Sequence, residues 1–267
     1  MADNAAAFVG DIPHFYDIGL GPVLFEPYAE ELADIAAAFS PRSVLELAAG
    51  TGISAAALAR RLTLADLVVT DLNAPMLEIA TAKLPAAVEV QPADAQDLPF
   101  EDAAFDLVAC QFGVMFLPDL AAGFREAARV LRPTGTYCFS VWDSHAHNWW
   151  AATTDAVVTR PFPDDPPPFY RVPFHLSDVH ALRELLHECG FGRVTIEISP
   201  RDTRVESWET FASGLIRGNP VSGQIIERGG DVHEFEREVV AAFSERYGNA
   251  PTTIPIQAIF VVAQLKD

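Results

Sequence analysis

Residues 43–52, SVLELAAGTG, decide how this chain is read. Val44, Leu45 and Leu47 form a short β-branched and aliphatic run that suits a strand buried on both faces. The run breaks at Ala48-Ala49-Gly50-Thr51-Gly52, and an alanine-rich helical pattern over Ile53 to Leu62 starts at once. A strand that feeds a helix through small residues leaves backbone N–H groups pointing outward, and Gly50 and Gly52 have no Cβ to hold a ligand off. Glu46 sits near the strand's end, a costly place for a carboxylate unless it meets a cation or donors, and it would repel a phosphate. Asp71 closes a second apolar run, Leu67 to Thr70, at the separation where nucleotide folds place an acid for both ribose hydroxyls. The turn is therefore expected to hold a ribose, with a positive group near Glu46.

Downstream lie Asp94-Ala95-Gln96-Asp97-Leu98-Pro99-Phe100, then Phe105-Asp106-Leu107-Val108, then Ala128-Arg129-Val130-Leu131-Arg132-Pro133-Thr134-Gly135. With SVLELAAGTG and Asp71 before them, residues 40–142 resemble the class I S-adenosylmethionine-dependent methyltransferases, in the part shared by ubiquinone and menaquinone C-methyltransferases and small-molecule relatives. The resemblance implies an α/β fold: a Rossmann-like, seven-stranded, mostly parallel sheet with an antiparallel last strand set beside the fifth, helices on both faces, and a helical and loop cap. It also implies S-adenosyl-L-methionine as cofactor. Glu46, Ala48, Gly50 and Gly52 would form the cofactor turn, and Asp71 would hold the ribose. Leu72 would pack on the adenine face with Met76 nearby, while Asp94 and the Ala95 N–H would take the adenine edge. Tyr16 would cover the cofactor, and Gln111 would border it at the end of the fourth strand. One departure and one exclusion matter. Ala48 stands where the family usually has its first glycine, and Gln111-Phe112-Gly113 lacks the Asn/Asp-Pro-Pro-aromatic signature of enzymes that methylate adenine or glutamine amines.

Two other readings of the core compete. Gly50-Thr51-Gly52-Ile53-Ser54-Ala55 fits G-x-G-x-x-A, so Asp71 could serve an NAD(P)-dependent oxidoreductase. Glu46 beside a pyrophosphate, the Asp94-Ala95 pair and the final long strand speak against it. The other is a cofactor-binding protein that catalyses nothing.

The chain has 267 residues, half of them hydrophobic, which is enough for one full core with an elaboration. Its 37 acids against 18 Lys and Arg give a formal charge of -19, which disfavours nucleic acid and anionic membrane surfaces as partners. Met1 to Gly10 has neither the basic region nor the apolar core of a signal peptide, and no apolar run approaches a membrane span. Cys110, Cys138 and Cys189 lie far apart in apolar segments and read as buried thiols, with no metal site. Cytoplasm and a small-molecule acceptor, without stable membrane insertion, are the expectations.

Residues 1–40 are expected to form an N-terminal helical lid carrying Tyr16 and Tyr28, helical from about Glu26, and residues 41–267 the catalytic domain. Asn73-Ala74-Pro75-Met76 reads as the cap and first turn of a helix. Strands are expected at 88–90, 105–110, 136–141 and 194–198, with a helix at 119–131. Cap insertions are placed at about 143–176 and 200–252. The first is rich in aromatics and in prolines from Pro161 to Pro168, which predicts a loop-rich segment over the strands' carboxyl ends, lining an apolar acceptor pocket or merely packing there. Ser177 is expected to cap a helix that stops at Gly190. One or two helices then precede a last strand at Ile254 to Gln264, and Gly214, Gly218, Asn219-Pro220 and Gly223 mark a bend that borders the acceptor. The chemistry implied is direct displacement, in which positioning supplies much of the rate. A hydroxyl acceptor would need a base, for which His145 and His147 are the candidates; an amine or activated carbon would need none.

Overall fold

The structure, a computed structural model, describes residues 6–266. Among these, seven strands form one sheet: β1 (Ser43–Glu46), β2 (Asp66–Asp71), β3 (Glu89–Pro92), β4 (Phe105–Gln111), β5 (Leu131–Trp142), β6 (Phe191–Val205) and β7 (Thr252–Leu265). The order is β3-β2-β1-β4-β5-β7-β6, and β7 alone runs against its neighbours. This is the expected sheet. Its centre follows from the sequence: Val44, Leu45, Leu47, Leu107, Val108 and Ala109 are apolar on both faces and are all buried.

Helices cover the two faces, as the alternation of β5 shows. Phe124 of α5 (Leu120–Val130) packs on Tyr137 and Phe139, whereas Tyr28 of α2 (Glu26–Ala37) packs on Trp142, which points the other way. On the Tyr28 side, α2 also lies on α3 (Ile53–Arg61). A further helix, α4 (Ala74–Lys83), follows β2; Asn73 sits at its N-cap without a side-chain cap bond, because its amide is engaged with Asp71.

Elsewhere the expectations need correcting. The N-terminus is helical earlier than Glu26: α1 (Ile12–Gly19) leads through one wide turn, Gly21–Phe25, into α2. The segment after β5 is not loop throughout, since α6 (Trp149–Thr159) occupies its proline-free part and ends just before Pro161. Asp178, not Ser177, caps α7 (Val179–Glu188), accepting from the amides of His180 at 3.0 Å and Ala181 at 3.1 Å. The second cap region contains three helices, α8 (Trp208–Arg217), α9 (Val221–Glu227) and α10 (Val232–Tyr247). Its first residues, 200–205, belong to β6, which pairs with β7 beyond the point where β5 leaves the sheet at Trp142 and Ala258. That two-stranded arm holds the N-terminal helices through Tyr28 Oη donating to Ser199 O (2.9 Å) and Thr203 Oγ1 donating to Val23 O (2.7 Å).

Glycines let α8 sit directly on α1. A Cβ at Gly214 would lie 2.8 Å from the backbone of Gly19, and one at Gly218 2.7 Å from Tyr16 N. The bend that follows α8 is therefore locked to the backbone of the residue expected to cover the cofactor. No helix among the described residues is long and apolar enough to cross a membrane. Cys110, Cys138 and Cys189 are free and buried, and burial pushes the first two thiols up to about 12.

Candidate functional site

The turn after β1 is pinned by its neighbours: Leu47 N donates to Ala109 O (2.8 Å) and Ala49 N to Thr70 O (2.9 Å). Between and beyond these anchors Ala48, Gly50 and Gly52 take φ of 50°, 56° and 79°. The three serve different ends. A Cβ on Gly50 would meet nothing within 4 Å, because the space beside it is a cavity. One on Gly52 would lie 2.8 Å from Ala80 Cβ, so this glycine seats α3 against α4 and does not line the cavity, contrary to its expected role. Ala48 keeps its methyl because Gly113 opposite has none; a Cβ there would fall 2.5 Å away. A left-handed residue with a Cβ is strained, so Ala48→Gly is expected to raise stability by about 0.5–1 kcal/mol, or roughly 1–3 °C in Tm by calorimetry.

The cavity measures about 290 Å³. It brings together Tyr16, Ala48, Gly50, Asp71, Leu72, Met76, Asp94, Ala95 and Gln111 from the sequence reading, and adds Phe25, Thr51, Ser54, Asn73, Phe112 and Phe116. Asp71 is its central acid. One carboxylate oxygen accepts from Gly50 N (2.8 Å), the other from Asn73 N (2.7 Å) and Asn73 Nδ2 (3.2 Å). Burial raises its pKa despite these donors. Leu72, 62% exposed, projects apolar surface beside it, and Met76 is buried. Asp94 accepts from Gln96 N (2.9 Å) and Nε2 (3.2 Å). Tyr16 stacks on Phe25 with centroids 4.7 Å apart, and burial together with the charges of Asp71 and Asp17 keeps its hydroxyl protonated.

Glu46 lies behind this wall and reaches the cavity only through Ser54, whose hydroxyl donates to it. Its other oxygen has no partner among the described residues, nor do Thr51 Oγ1 and Gln111 Oε1, although all three are buried. Burial pushes the Glu46 carboxyl up to about 8, with Ser54 opposing and the charge of Asp71 adding. Below its ordinary 4.5 the group is protonated folded and unfolded alike; between 4.5 and about 8 only the unfolded chain ionises. The folded state then holds the extra proton, so this group's contribution to stability falls as pH rises and levels off above about 8. Glu46→Gln is expected to remove that slope, measured as a smaller loss of denaturant stability from pH 5 to pH 8 than in the parent.

A second, smaller cavity of about 40 Å³ opens behind the first and shares with it Phe8, Tyr16, Phe25, Phe112 and Phe116. Trp142, Trp150, Phe169, Tyr170, Phe174 and Asn219 complete much of its wall, and Trp142 stacks on Phe112 with centroids 4.1 Å apart. The 143–175 segment thus supplies four aromatics to it. Trp149 is not among them: it packs on Phe243 (5.5 Å) and Tyr247 (5.1 Å), under the Arg246 guanidinium.

The histidines are elsewhere too. His145 places Nε2 3.0 Å from Tyr170 O with its ring against Phe174, and His147 is exposed, 3.4 Å from Asp143 Oδ2. Neither lines either of these two cavities. The reason is the fastening of the turn after β5 onto β7: Asp143 N and Asn148 Nδ2 donate to Gln257 O (3.2 and 2.9 Å), and Gln257 N donates to Asn148 Oδ1 (3.0 Å). Thr51 was legible inside the motif and Asn73 two residues past Asp71. Phe25 and Phe116 carry no such signal, since only the tertiary fold brings them here, whereas Asn219 lies in the bend expected to border the acceptor.

Residues 45–139 match a family model described as a methyltransferase domain. The demethylmenaquinone methyltransferase of Deinococcus radiodurans is 40% identical over 103 residues, 38% of this chain and 43% of that protein. The chain thus spans less than half the length of that relative. Among solved structures, the YcgJ protein of Bacillus subtilis aligns over 90% of this chain and 100% of its own with a TM-score of 0.58 at 16% identity. A Haemonchus contortus phosphoethanolamine N-methyltransferase, solved with S-adenosylhomocysteine, aligns over 97% of this chain and 61% of its own, with a TM-score of 0.54 at 15% identity. At these identities the structures speak to the fold. Nothing in the comparisons supports the oxidoreductase reading of Gly50 to Ala55.

Proposed function

Because residues 45–139 are a class I S-adenosylmethionine-dependent methyltransferase domain, we propose that the whole chain transfers a methyl group from that cofactor to a small apolar or aromatic molecule held in the second cavity. The observation that carries this reading is the shared aromatic wall. Tyr16, Phe25 and Phe112 border both cavities, so a ligand in the first and an acceptor in the second meet across them.

The first cavity suits the cofactor. Asp71 would hold the ribose hydroxyls, Leu72 and Met76 the adenine face, and Asp94 with the Ala95 N–H its edge. Unpartnered oxygens on Thr51 and Gln111, which line this cavity, fit a ligand that brings hydrogen-bond donors and positive charge to a region with no cation of its own. When bound there, the cofactor supplies a sulfonium methyl already activated for displacement. This chain's part is to place the acceptor and exclude water, which the aromatic wall does. We read residues 1–40, whose first five lie outside the described residues, as the lid that completes this wall through Phe8, Tyr16 and Phe25. Tyrosines are the lone titratable side chains lining the second cavity, and burial raises the pKa of both Tyr16 and Tyr170. No base is thereby assigned, and the reaction proposed rests on positioning.

A screen of quinols, phenols and small amines for release of S-adenosylhomocysteine tests the activity; a protein that binds the cofactor and releases none with any of them would refute it. On the acceptor found, Phe174→Ala is expected to raise KM about tenfold with S-adenosylmethionine affinity unchanged by calorimetry. Trp149→Ala should leave KM near the parent's and cost about 1–3 kcal/mol of stability through lost packing on α10. The opposite pattern would move the acceptor to the other side of α6.

A further inference from the structure

We infer that Asn219 reads a hydrogen-bond donor on the acceptor, so that the second cavity selects an uncharged molecule whose apolar body ends in O–H or N–H. This rests on the assignment of that cavity to the acceptor. Asn219 lies in the bend between α8 and α9 and is 6% exposed. Its Nδ2 donates to Gly214 O (3.2 Å) and Leu215 O (3.0 Å), two carbonyls at the end of α8 that can only accept. That pairing fixes the amide, and Oδ1 is left with no partner among the described residues, in a side chain whose neighbouring void is the second cavity.

The rest of that wall is nearly without polar function. Tyr170 Oη donates to Leu215 O (2.7 Å) and Trp150 Nε1 to Asn148 Oδ1 (3.3 Å). Trp142 Nε1 and the protonated Tyr16 hydroxyl also have no partner among the described residues, which leaves the wall two further groups able to donate. No carboxylate, ammonium or guanidinium lines it, so a charged acceptor would be desolvated there without a counter-ion. A hydroxyl or a neutral amine gives and takes a hydrogen bond, and so can meet the Asn219 acceptor and a donor of the wall in kind. An alkyl or ether group in the same place would leave Asn219 Oδ1 buried and unpaired. The position of Asn219 is itself rigid, because Gly218 beside it packs on the Tyr16 backbone.

Phenol and toluene have the same shape and differ in this one donor. With the parent protein saturated with S-adenosylhomocysteine, their affinities are read from quenching of the cavity tryptophans. Asn219→Leu is expected to lower the phenol-to-toluene affinity ratio roughly fivefold to tenfold, the worth of one neutral hydrogen bond, with S-adenosylhomocysteine affinity unchanged. An unchanged ratio in a folded variant would overturn the assignment. A crystal structure of the parent with phenol tests it without any substitution: the phenol oxygen within about 3.2 Å of Asn219 Oδ1 supports it, and an oxygen turned elsewhere in the cavity refutes it. Failure of the parent to bind S-adenosylhomocysteine would instead count against the function proposed above, and the two probes would still be compared on the protein alone.

Discussion

Gly50→Val is expected to leave a folded sheet that no longer binds S-adenosylmethionine. Gly50 has φ of 56° and an open cavity where its side chain would be, so a Cβ there would meet no protein atom within 4 Å. The valine side chain would fill the space where a ligand meets the turn's backbone. The left-handed conformation adds a second penalty, roughly 1–2 kcal/mol for a residue with a Cβ and worst for a branched one. Relief of that strain would rotate the peptide whose N–H donates to Asp71 at 2.8 Å, disturbing the central acid as well. Circular dichroism should match the parent and calorimetry should show no heat of binding. A folded Gly50→Val protein with parental affinity would take the site away from this turn.

The turn could be read in advance because its constraints are local. A continuous apolar run has to be a strand buried on both faces, and a small-residue break before an alanine-rich helix has to be a tight turn. Asp71 was legible for the same reason, standing at the end of the next such run. The features that escaped depend on partners distant in sequence. Gly52 resembles Gly50 in the motif but is set by Ala80, on the following helix. The proline density after Pro161 said nothing about residues 149–159, whose helix ends where the prolines begin. His145 and His147 follow β5 directly, and a position after a parallel strand suggests the ligand end of the sheet. The bonds from residues 143 and 148 to Gln257 on β7 turn that segment aside, and nothing near the histidines announces them. Trp149 and Phe174 looked alike as aromatics of one insertion; α10 takes the first and the cavity the second. The cap as a whole was least legible, since its helices bury their faces against α1 and the β6–β7 arm and not against a sheet of fixed geometry.

Asp71→Ala should weaken S-adenosylmethionine binding by roughly 100-fold or more. A hydrogen bond to a charged group contributes about 1.5–3 kcal/mol, which is about tenfold to 150-fold for a single lost bond to a ribose hydroxyl, and the acid also organises its surroundings. It joins the turn at Gly50 to Asn73, and Asn73 Oδ1 in turn accepts from Phe8 N at 3.3 Å, at the edge of the lid. Loss of the carboxylate therefore loosens both walls of the first cavity. Stability should suffer less than three broken hydrogen bonds suggest, because burial already raises the pKa of Asp71 and its removal relieves that desolvation. A second readout separates this from general damage. The charge of Asp71 helps to hold the Glu46 carboxyl up, so without it the fall in stability with rising pH should end at a lower pH than in the parent. Asp71→Asn, which keeps one acceptor oxygen and the shape, should lie between the two in affinity. Unchanged affinity in Asp71→Ala would refute the ribose assignment, and tighter binding of NAD than of S-adenosylmethionine by the parent would refute the cofactor with it.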